Sequence, residues 1–353
     1  MGIPLHSKLR RKLRTVLNQI LSKFSSQQNS EPIDPSTIKK VLLIRINYRI
    51  GNIIFMTPLI RALEKKLPTA DVDMLVGAPF TAPIIKEMPN IQNVYSMPRE
   101  TSKNPIKLFK EIRKINQNNY DLIINPIPGS VSTNIAILLI KAKLKLGFHR
   151  SDTWMPINRS IDEPKDISHE ALKPLALMDI FSGEKLAYNQ YLDIAISQKE
   201  RDEGRQIVLE LLKNKTDTRI VGIFRDARNE KKINNDWWIT FIKQMRKLDN
   251  NTTFIDILPP NEKEALLPDM PFISSENLRD LAKIFSALNV FVCGDTGPMH
   301  LASAALTPVV AFFNVTDPSL YGPLGEKDKT IQINDKEISL IAKQTYKHIK
   351  TIL

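Results

Sequence analysis

Absences narrow the possibilities first. The 353-residue chain holds one cysteine, Cys293, which excludes an internal disulfide framework and a cysteine-based metal cluster. Cys293 ends an apolar run from Val290, so burial is its expected state and a reducing compartment the fitting address. No apolar stretch reaches the ~18–20 residues that span a bilayer. The loop after the first apolar strand has neither Gly-x-Gly-x-x-Gly nor a Walker lysine, leaving no nicotinamide or ATP fingerprint in that half. No His-x-x-x-His or carboxylate–histidine spacing points to a metal.

Acidic residues are missing from one segment in particular. Residues 1–30 carry Lys8, Arg10, Arg11, Lys12, Arg14 and Lys23 and no acid, so +6 of the net +12 sits there. The remainder is only mildly basic, which argues against nucleic acid as a partner. Leu5, Leu9, Leu13, Leu17, Ile20, Leu21 and Phe24 recur at helical spacing and form one apolar stripe. The charges precede no continuous apolar core, so this is not a secretory signal. His6 occupies the position where a myristoylation site needs Ser or Thr. Two placements stay open for residues 5–24: on an anionic membrane surface, the favoured reading, or docked on the protein's own body. A polar linker, Ser25 to Thr37, follows.

The rest alternates strands and helices. Lys39 to Arg45 reads as a buried parallel strand, Ile46 to Asn52 as a loop, and Thr57 to Leu67 as a helix. Strands are expected at Asp71–Val76 and Asp121–Asn125, and helices over 105–116 and from Ser130 to Lys143. Residues 151–185 lack a period and mark the interdomain region. The second half repeats the rhythm: helix Arg201–Lys213, strand Ile220–Phe224, a helix near Asp236, strand Thr253–Leu258, a short helix Glu262–Leu267, helix Leu278–Leu288, strand Pro308–Phe313 and a helical tail, Ile338–Leu353. This pattern means parallel α/β sheets, on which ligands sit beyond the C-terminal strand ends. Arg45, Asn47, Tyr48, Arg49 and Asn52 occupy such an end and suit sugars and anions.

The second half is organised around Val290-Phe-Val-Cys-Gly-Asp295-Thr-Gly-Pro-Met-His300: a strand, a polar turn and a helix start. Backbone N–H groups and the helix dipole there favour a phosphate or pyrophosphate. Asp and Thr are also ordinary helix caps, so the turn alone does not decide. Lys231 and Lys232, after another strand, and Asn314 to Asp317, after the last, bring further polar groups to the same rim. His300 lies about one turn into the helix, where a lone histidine is more often a structural hydrogen-bonder. Asp-Thr-Gly also occurs in aspartic proteases, but a single copy in an α/β context excludes that reading.

These residues resemble a family. Arg49-Ile-Gly-Asn-Ile-Ile-Phe-Met-Thr-Pro-Leu-Ile-Arg-Ala-Leu63 is similar to the N-terminal signature of the bacterial heptosyltransferases of glycosyltransferase family nine. Asp295-Thr-Gly-Pro-Met-His300, with Thr307–Phe313 and Thr316-Asp-Pro, resembles their donor-site signature. Tyr120–Ile124, Leu146–Arg150 and Lys231–Trp238 fall in family order, and the resemblance spans roughly residues 39–350. It implies a GT-B fold, two facing Rossmann-like domains with parallel sheets, here preceded by the amphipathic helix. The expected divisions are 1–30 (helix and linker), 37–180 (acceptor side), 186–335 (nucleotide-sugar side) and 336–353, a helix crossing back to the first domain.

By the same resemblance, Asp295, Thr296, Gly297, Met299 and His300 bind the donor, Lys231 and Lys232 face its diphosphate, and Glu262 approaches the nucleoside. Arg45, Arg49 and Gly51 belong to the acceptor side. The implied activity is inverting transfer of heptose or a similar sugar from an ADP-heptose-like donor to a lipopolysaccharide-core or other lipid-linked surface glycan. It is metal-independent and takes place in the cytoplasm, peripheral at the inner membrane. One departure stands out: Asn52 replaces the family's usual Asp, read as the general base, and an amide cannot accept that proton. The span from Arg45 to Gly51 is also one residue longer than the common pattern. Either the base lies elsewhere, transfer proceeds with weak base help, or the protein binds nucleotide-sugar as a catalytically lapsed partner or regulator.

Overall fold

The computed structural model describes residues 29–127, 131–149, 154–213 and 218–353. The expected helix over residues 5–24 lies outside them. The first domain runs β1 (Lys40–Arg45), α1 (Ile50–Ile54), α2 (Thr57–Lys66), β2 (Asp71–Val76), α3 (Ala82–Lys86), β3 (Ile91–Ser96), α4 (Arg99–Lys103), α5 (Pro105–Asn116), β4 (Tyr120–Asn125), α6 (Val131–Leu139), β5 (Ala142–His149) and β6 (Arg159–Asp162). Its strands pair in parallel in the order β3-β2-β1-β4-β5-β6. The sheet is covered on both faces, so its central strands are apolar throughout, as Val41 to Ile44 show.

The second domain repeats the plan: α7 (Gln198–Leu211), β7 (Arg219–Phe224), α8 (Asn235–Leu248), β8 (Thr252–Leu258), β9 (Phe272–Ser274), α9 (Leu278–Ser286), β10 (Val290–Gly294), α10 (Gly297–Ala304), β11 (Val309–Phe313), α11 (Pro318–Tyr321), β12 (Lys329–Gln332) and α12 (Ile338–Ile352). The strand order is β12-β11-β10-β7-β8-β9, again all parallel. In each sheet the order reverses beside the first strand, between β1 and β4 and between β7 and β10. Ligands on open α/β sheets bind at that switch point. Arg45 ends β1, and Arg225 and Asp295 directly follow β7 and β10.

Side-chain caps set the helix starts. Asn104 accepts N–H bonds from Ile106 and Lys107, Asn277 does so from Arg279 and Asp280, and Ser197 with Glu200 forms a reciprocal capping box. The inner faces of the two sheets share one apolar cluster that contains Ile53 and Phe55 of the first domain and Met299 and Leu301 of the second. Separate clusters fill the outer face of each sheet. The segment that leads into α7, at Ile194 and Ala195, is held by Arg279, buried in α9. Its guanidinium donates to the carbonyls of Ile194 (2.8 Å), Ala195 (3.1 Å) and, in the first domain, Ile84 (3.3 Å), and it pairs with Glu200 at 2.6 Å. That hydrogen-bonded pair holds the Glu200 carboxyl down to about 2.

Several sequence expectations need correction. The helix begins at Ile50, so Asn52 lies within α1 and not in a loop. The helix expected to Lys143 stops at Leu139, because the Asn116 side chain donates to the Leu139 carbonyl and accepts the Lys141 N–H. Ala142 then pairs with Tyr120 as the start of β5. The stretch 151–185 contains β6 and a 3-10 helix, Lys173–Ile180. Glu262–Leu267 is not helical: the Leu266 N–H turns to Asp256 (2.8 Å), and Pro268 follows. The tail helix α12 does not cross back. It packs along α8 and buries Ile341, Ala342 and Ile349 in the second domain's outer core.

Candidate active site

On the second domain's rim, Asp295 is 6% exposed and its Oδ2 meets the Lys231 ammonium at 2.6 Å. The Thr316 hydroxyl donates to the same oxygen. Lys231 arrives on a 3-10 turn, Asn229–Lys231, after β7, so three loops from adjacent strands converge on one carboxylate. Thr296 is the N-cap of α10 but makes no side-chain capping bond, and Pro298 sits in the first turn. The amides of that turn lack a side-chain cap, and with the dipole behind them they suit an anion. Lys232 is exposed and pairs with Asp226 at 2.9 Å, away from Asp295.

Behind this rim, Arg225 bridges Asp256 (3.2 Å) and Glu262 (2.7 Å). Burial raises the Asp256 carboxyl, although Arg225 and the Leu266 N–H pull it back. Glu262 thus reaches the switch point through Arg225, a residue that the sequence reading passed over inside a polar loop.

The first-domain rim is built from amides. Asn47 Oδ1 accepts from the Arg49 N–H (2.9 Å) and from Asn52 Nδ2 (2.9 Å), clipping the loop onto the first turn of α1. Arg45 Nε donates to the Asn52 carbonyl at 3.3 Å. Burial lowers the Arg45 guanidinium to about 10, against the opposing field of Glu170. Tyr48 is committed to structure: its hydroxyl donates to the Met97 carbonyl, and the Arg99 guanidinium lies 4.6 Å over its ring. Arg49 is exposed.

The two rims meet at their signatures, where α1 packs on α10. A Cβ at Gly51 would lie 2.6 Å from His300 Cδ2, and one at Gly297 would lie 3.3 Å from Ile50 Cβ. Gly51 is therefore a close-approach glycine, needed for contact between domains. Phe55 stands edge-on to both His300 (4.7 Å) and His169 (5.4 Å). His300 is buried, its Nδ1 has no partner, and burial pushes the imidazole down to about 3 despite the counter-pull of Asp295. The side chains of two residues expected at the donor turn inward. Met299 is wholly enclosed in the shared core, and His300 is a neutral ring wedged between the domains. Both point inward because the first turn of α10 abuts the apolar face of α1.

His169 was missed by the sequence reading. Its Nε2 donates to the Gly322 carbonyl at 3.0 Å and its Nδ1 accepts from the Ala171 N–H at 3.2 Å, joining the first domain to the end of α11. Among the described residues, no cluster of three or more His, Cys, Asp or Glu is arranged to hold a metal.

Comparison with known proteins places this geometry. The profile of "Glycosyltransferase family 9 (heptosyltransferase)" matches residues 108–350. The chain is 21% identical over 321 residues to the lipopolysaccharide core heptosyltransferase OpsX of Haemophilus influenzae, covering 86% of this chain and 87% of that protein. Among solved structures it is similar to the family 9 glycosyl transferase of Veillonella parvula, with a TM-score of 0.74, 19% identity, and coverage of 89% and 97% of the two chains. Escherichia coli heptosyltransferase WaaC with ADP gives 0.70 and 18%, covering 89% of this chain and all of that one (100%).

Proposed function

The chain belongs to glycosyltransferase family 9, and on that premise we propose that it moves heptose, or a similar sugar, from an ADP-linked donor to a lipopolysaccharide-core or related surface glycan, with inversion. The observation that carries this reading is the Lys231–Asp295 pair beside the uncapped first turn of α10, set directly against α1 with Asn52. The relatives named as heptosyltransferases, one of them solved with ADP, support the choice of sugar and nucleotide. In the proposed step the acceptor hydroxyl attacks the anomeric carbon, the bond to the diphosphate breaks, and the nucleoside diphosphate leaves. Charge develops on that diphosphate, and Lys231 with the α10 amides stabilises it without a divalent cation. Asn52 Oδ1 orients the hydroxyl, whose proton passes to solvent once the new bond is largely made.

Residues 5–24 hold the enzyme at the cytoplasmic face of the membrane in this reading; no helix among the described residues is long and apolar enough to cross one. The binding-only alternative rests on Asn52 alone. Incubating purified protein with ADP-, UDP- and GDP-sugars and truncated core acceptors, with EDTA present, tests the proposal. Release of nucleoside diphosphate that depends on acceptor is expected; a folded protein that turns over no donor would sink it.

A further inference from the structure

The outer face of the first domain carries large apolar side chains that nothing among the described residues covers. On α5, Ile106 is 82% and Phe109 68% exposed. On α6, Leu138 is 53%, Leu139 44% and Ile135 39% exposed. Both helices pack on the same side of the sheet, where Ile112 and Ile115 of α5 share a core with Ala136 and Ile137 of α6 and with Ile140 just after it. Ile106, Phe109, Arg113 and Asn116 follow at three- and four-residue spacing, so they form one stripe along α5. Asn116 touches the Leu139 carbonyl, which turns that stripe toward α6. The exposed residues of α6 are spaced likewise, so Ile106 and Phe109 at the start of α5 and Leu138 and Leu139 at the end of α6 lie on one face, with Arg113 and Asn116 between them.

Its border is basic. From Arg99 to Lys114 the chain has Arg99, Lys103, Lys107, Lys110, Arg113 and Lys114 against Glu100 and Glu111, a net +4. Lys103, Lys107, Lys110 and Arg113 are exposed, and among the described residues none of them forms an ion pair. Lys141 and Lys143 lie beside the end of α6, with Asp121 as the partner of Lys143 at 2.8 Å. Such charge excludes two occupants in favour of a third. A second copy would set basic rim against basic rim. Residues 5–24, the amphipathic segment of the same chain, carry six cations among residues 1–30 and no acid, and are repelled likewise. Bulky apolar side chains bordered by exposed lysines suit an anionic bilayer, into which the former insert while the latter meet lipid phosphates.

We infer that the α5–α6 face of the first domain docks on an anionic lipid surface. This rests on the peripheral placement proposed above and deepens it by naming a folded face. Pro105 begins α5 on the edge where the strands end, the edge that also carries Arg45, so docking sets the acceptor rim near the bilayer.

The single native cysteine is fully buried, so an environment-sensitive fluorophore can be attached selectively to the full-length variants Phe109→Cys or Leu138→Cys, with Phe272→Cys on the far domain as control. With phosphatidylglycerol vesicles, the labels at 109 and 138 should shift to the blue and brighten; with phosphatidylcholine, and for the label at 272, they should not. Lys107→Glu with Lys110→Glu should lower vesicle partitioning by about thirtyfold or more, at roughly 1 kcal/mol for each lysine lost. Flotation of the unlabelled protein reads the peripheral placement separately. A protein that floats while both labels stay silent refutes this face and leaves binding to residues 5–24. Labels already shielded without lipid, at all dilutions or only at high concentration, overturn it in favour of the chain's own segment or a second copy.

Discussion

The two rims of the cleft hold their shape by different means. The second domain's rim is built on charge: Lys231 and Thr316 converge on one oxygen of the buried Asp295 carboxylate, beside a helix N-terminus. The first domain's rim is held mainly by amides, with Asn47 clipped to Asn52 and the one guanidinium among them, Arg45, tied to a backbone carbonyl. One side is prepared to meet charge that develops during a reaction. The other is prepared to place a hydroxyl. That asymmetry fits a glycosyl transfer in which the leaving group, more than the incoming one, needs electrostatic help.

The sharpest way to break the comparison is at Lys231. Lys231→Met should reduce turnover by about 10²–10³, the scale seen when one preorganised stabiliser of developing charge is removed. It also strips a buried carboxylate of its cation, so Asp295→Asn in the same chain should restore thermal stability while leaving turnover low. If the double variant recovers turnover, the lysine serves only to satisfy Asp295, and the charged rim is structural.

Next in size is the contact between the rims. Gly51→Ala puts a methyl carbon 2.6 Å from the His300 ring, a clash that should cost about 1–3 kcal/mol. Adding His300→Ala makes room, so thermal melts should show the double variant regaining part of that loss. Additive losses would mean that the signatures do not bear on one another.

A third effect comes with pH. His300 titrates near its ordinary value of 6.5 when unfolded but is held down to about 3 in the fold by burial. Between those values the unfolded state binds the extra proton, so stability is complete above about pH 6.5 and falls as the pH drops toward 3. The slope from this one group is at most about 1.4 kcal/mol per pH unit. His300→Asn should flatten the acid side of the stability curve in denaturant titrations; an unchanged slope would mean that His300 is solvated.

Much of this was readable in the sequence, where a residue's role follows from its neighbours in the chain. Buried runs such as Val41–Ile44 and Val290–Cys293 became central strands, and Asp295 and Lys231 landed on one rim because each lies in the loop that follows a strand. What was not readable depends on partners far away. Arg279 is buried on carbonyls of Ile84, Ile194 and Ala195, and His169 on that of Gly322. Backbone carbonyls leave no mark in a sequence. The inward turn of the Met299 and His300 side chains was hidden for a related reason: spacing puts them in the first turn of α10, and only the packing of α1 shows that they face inward. Arg225, Asp256 and Glu262 likewise form a network only when β7 and β8 are paired side by side.

The smallest expected effect is the most informative about the neutral rim. If Asn52 were a lapsed base, Asn52→Asp should raise turnover greatly. The geometry argues otherwise. Asn52 Nδ2 is the donor that Asn47 Oδ1 accepts, and a carboxylate in its place would face that oxygen with no proton to share. Asn47 can turn its amide to answer, but only by giving up the Arg49 N–H at 2.9 Å, which loosens the loop. The Arg45 guanidinium, bonded to the carbonyl of residue 52, would hold a new carboxylate ionised and make it a weak base. Asn52→Asp should therefore change turnover by less than about tenfold in either direction, with no new acid limb near neutral pH in its rate profile. Asn47→Ala, which removes the clip and keeps the amide, should cost at least as much. A gain of a hundredfold or more in the Asp variant would show that the amide rim is a relic of a charged one, and the contrast between the two halves would disappear.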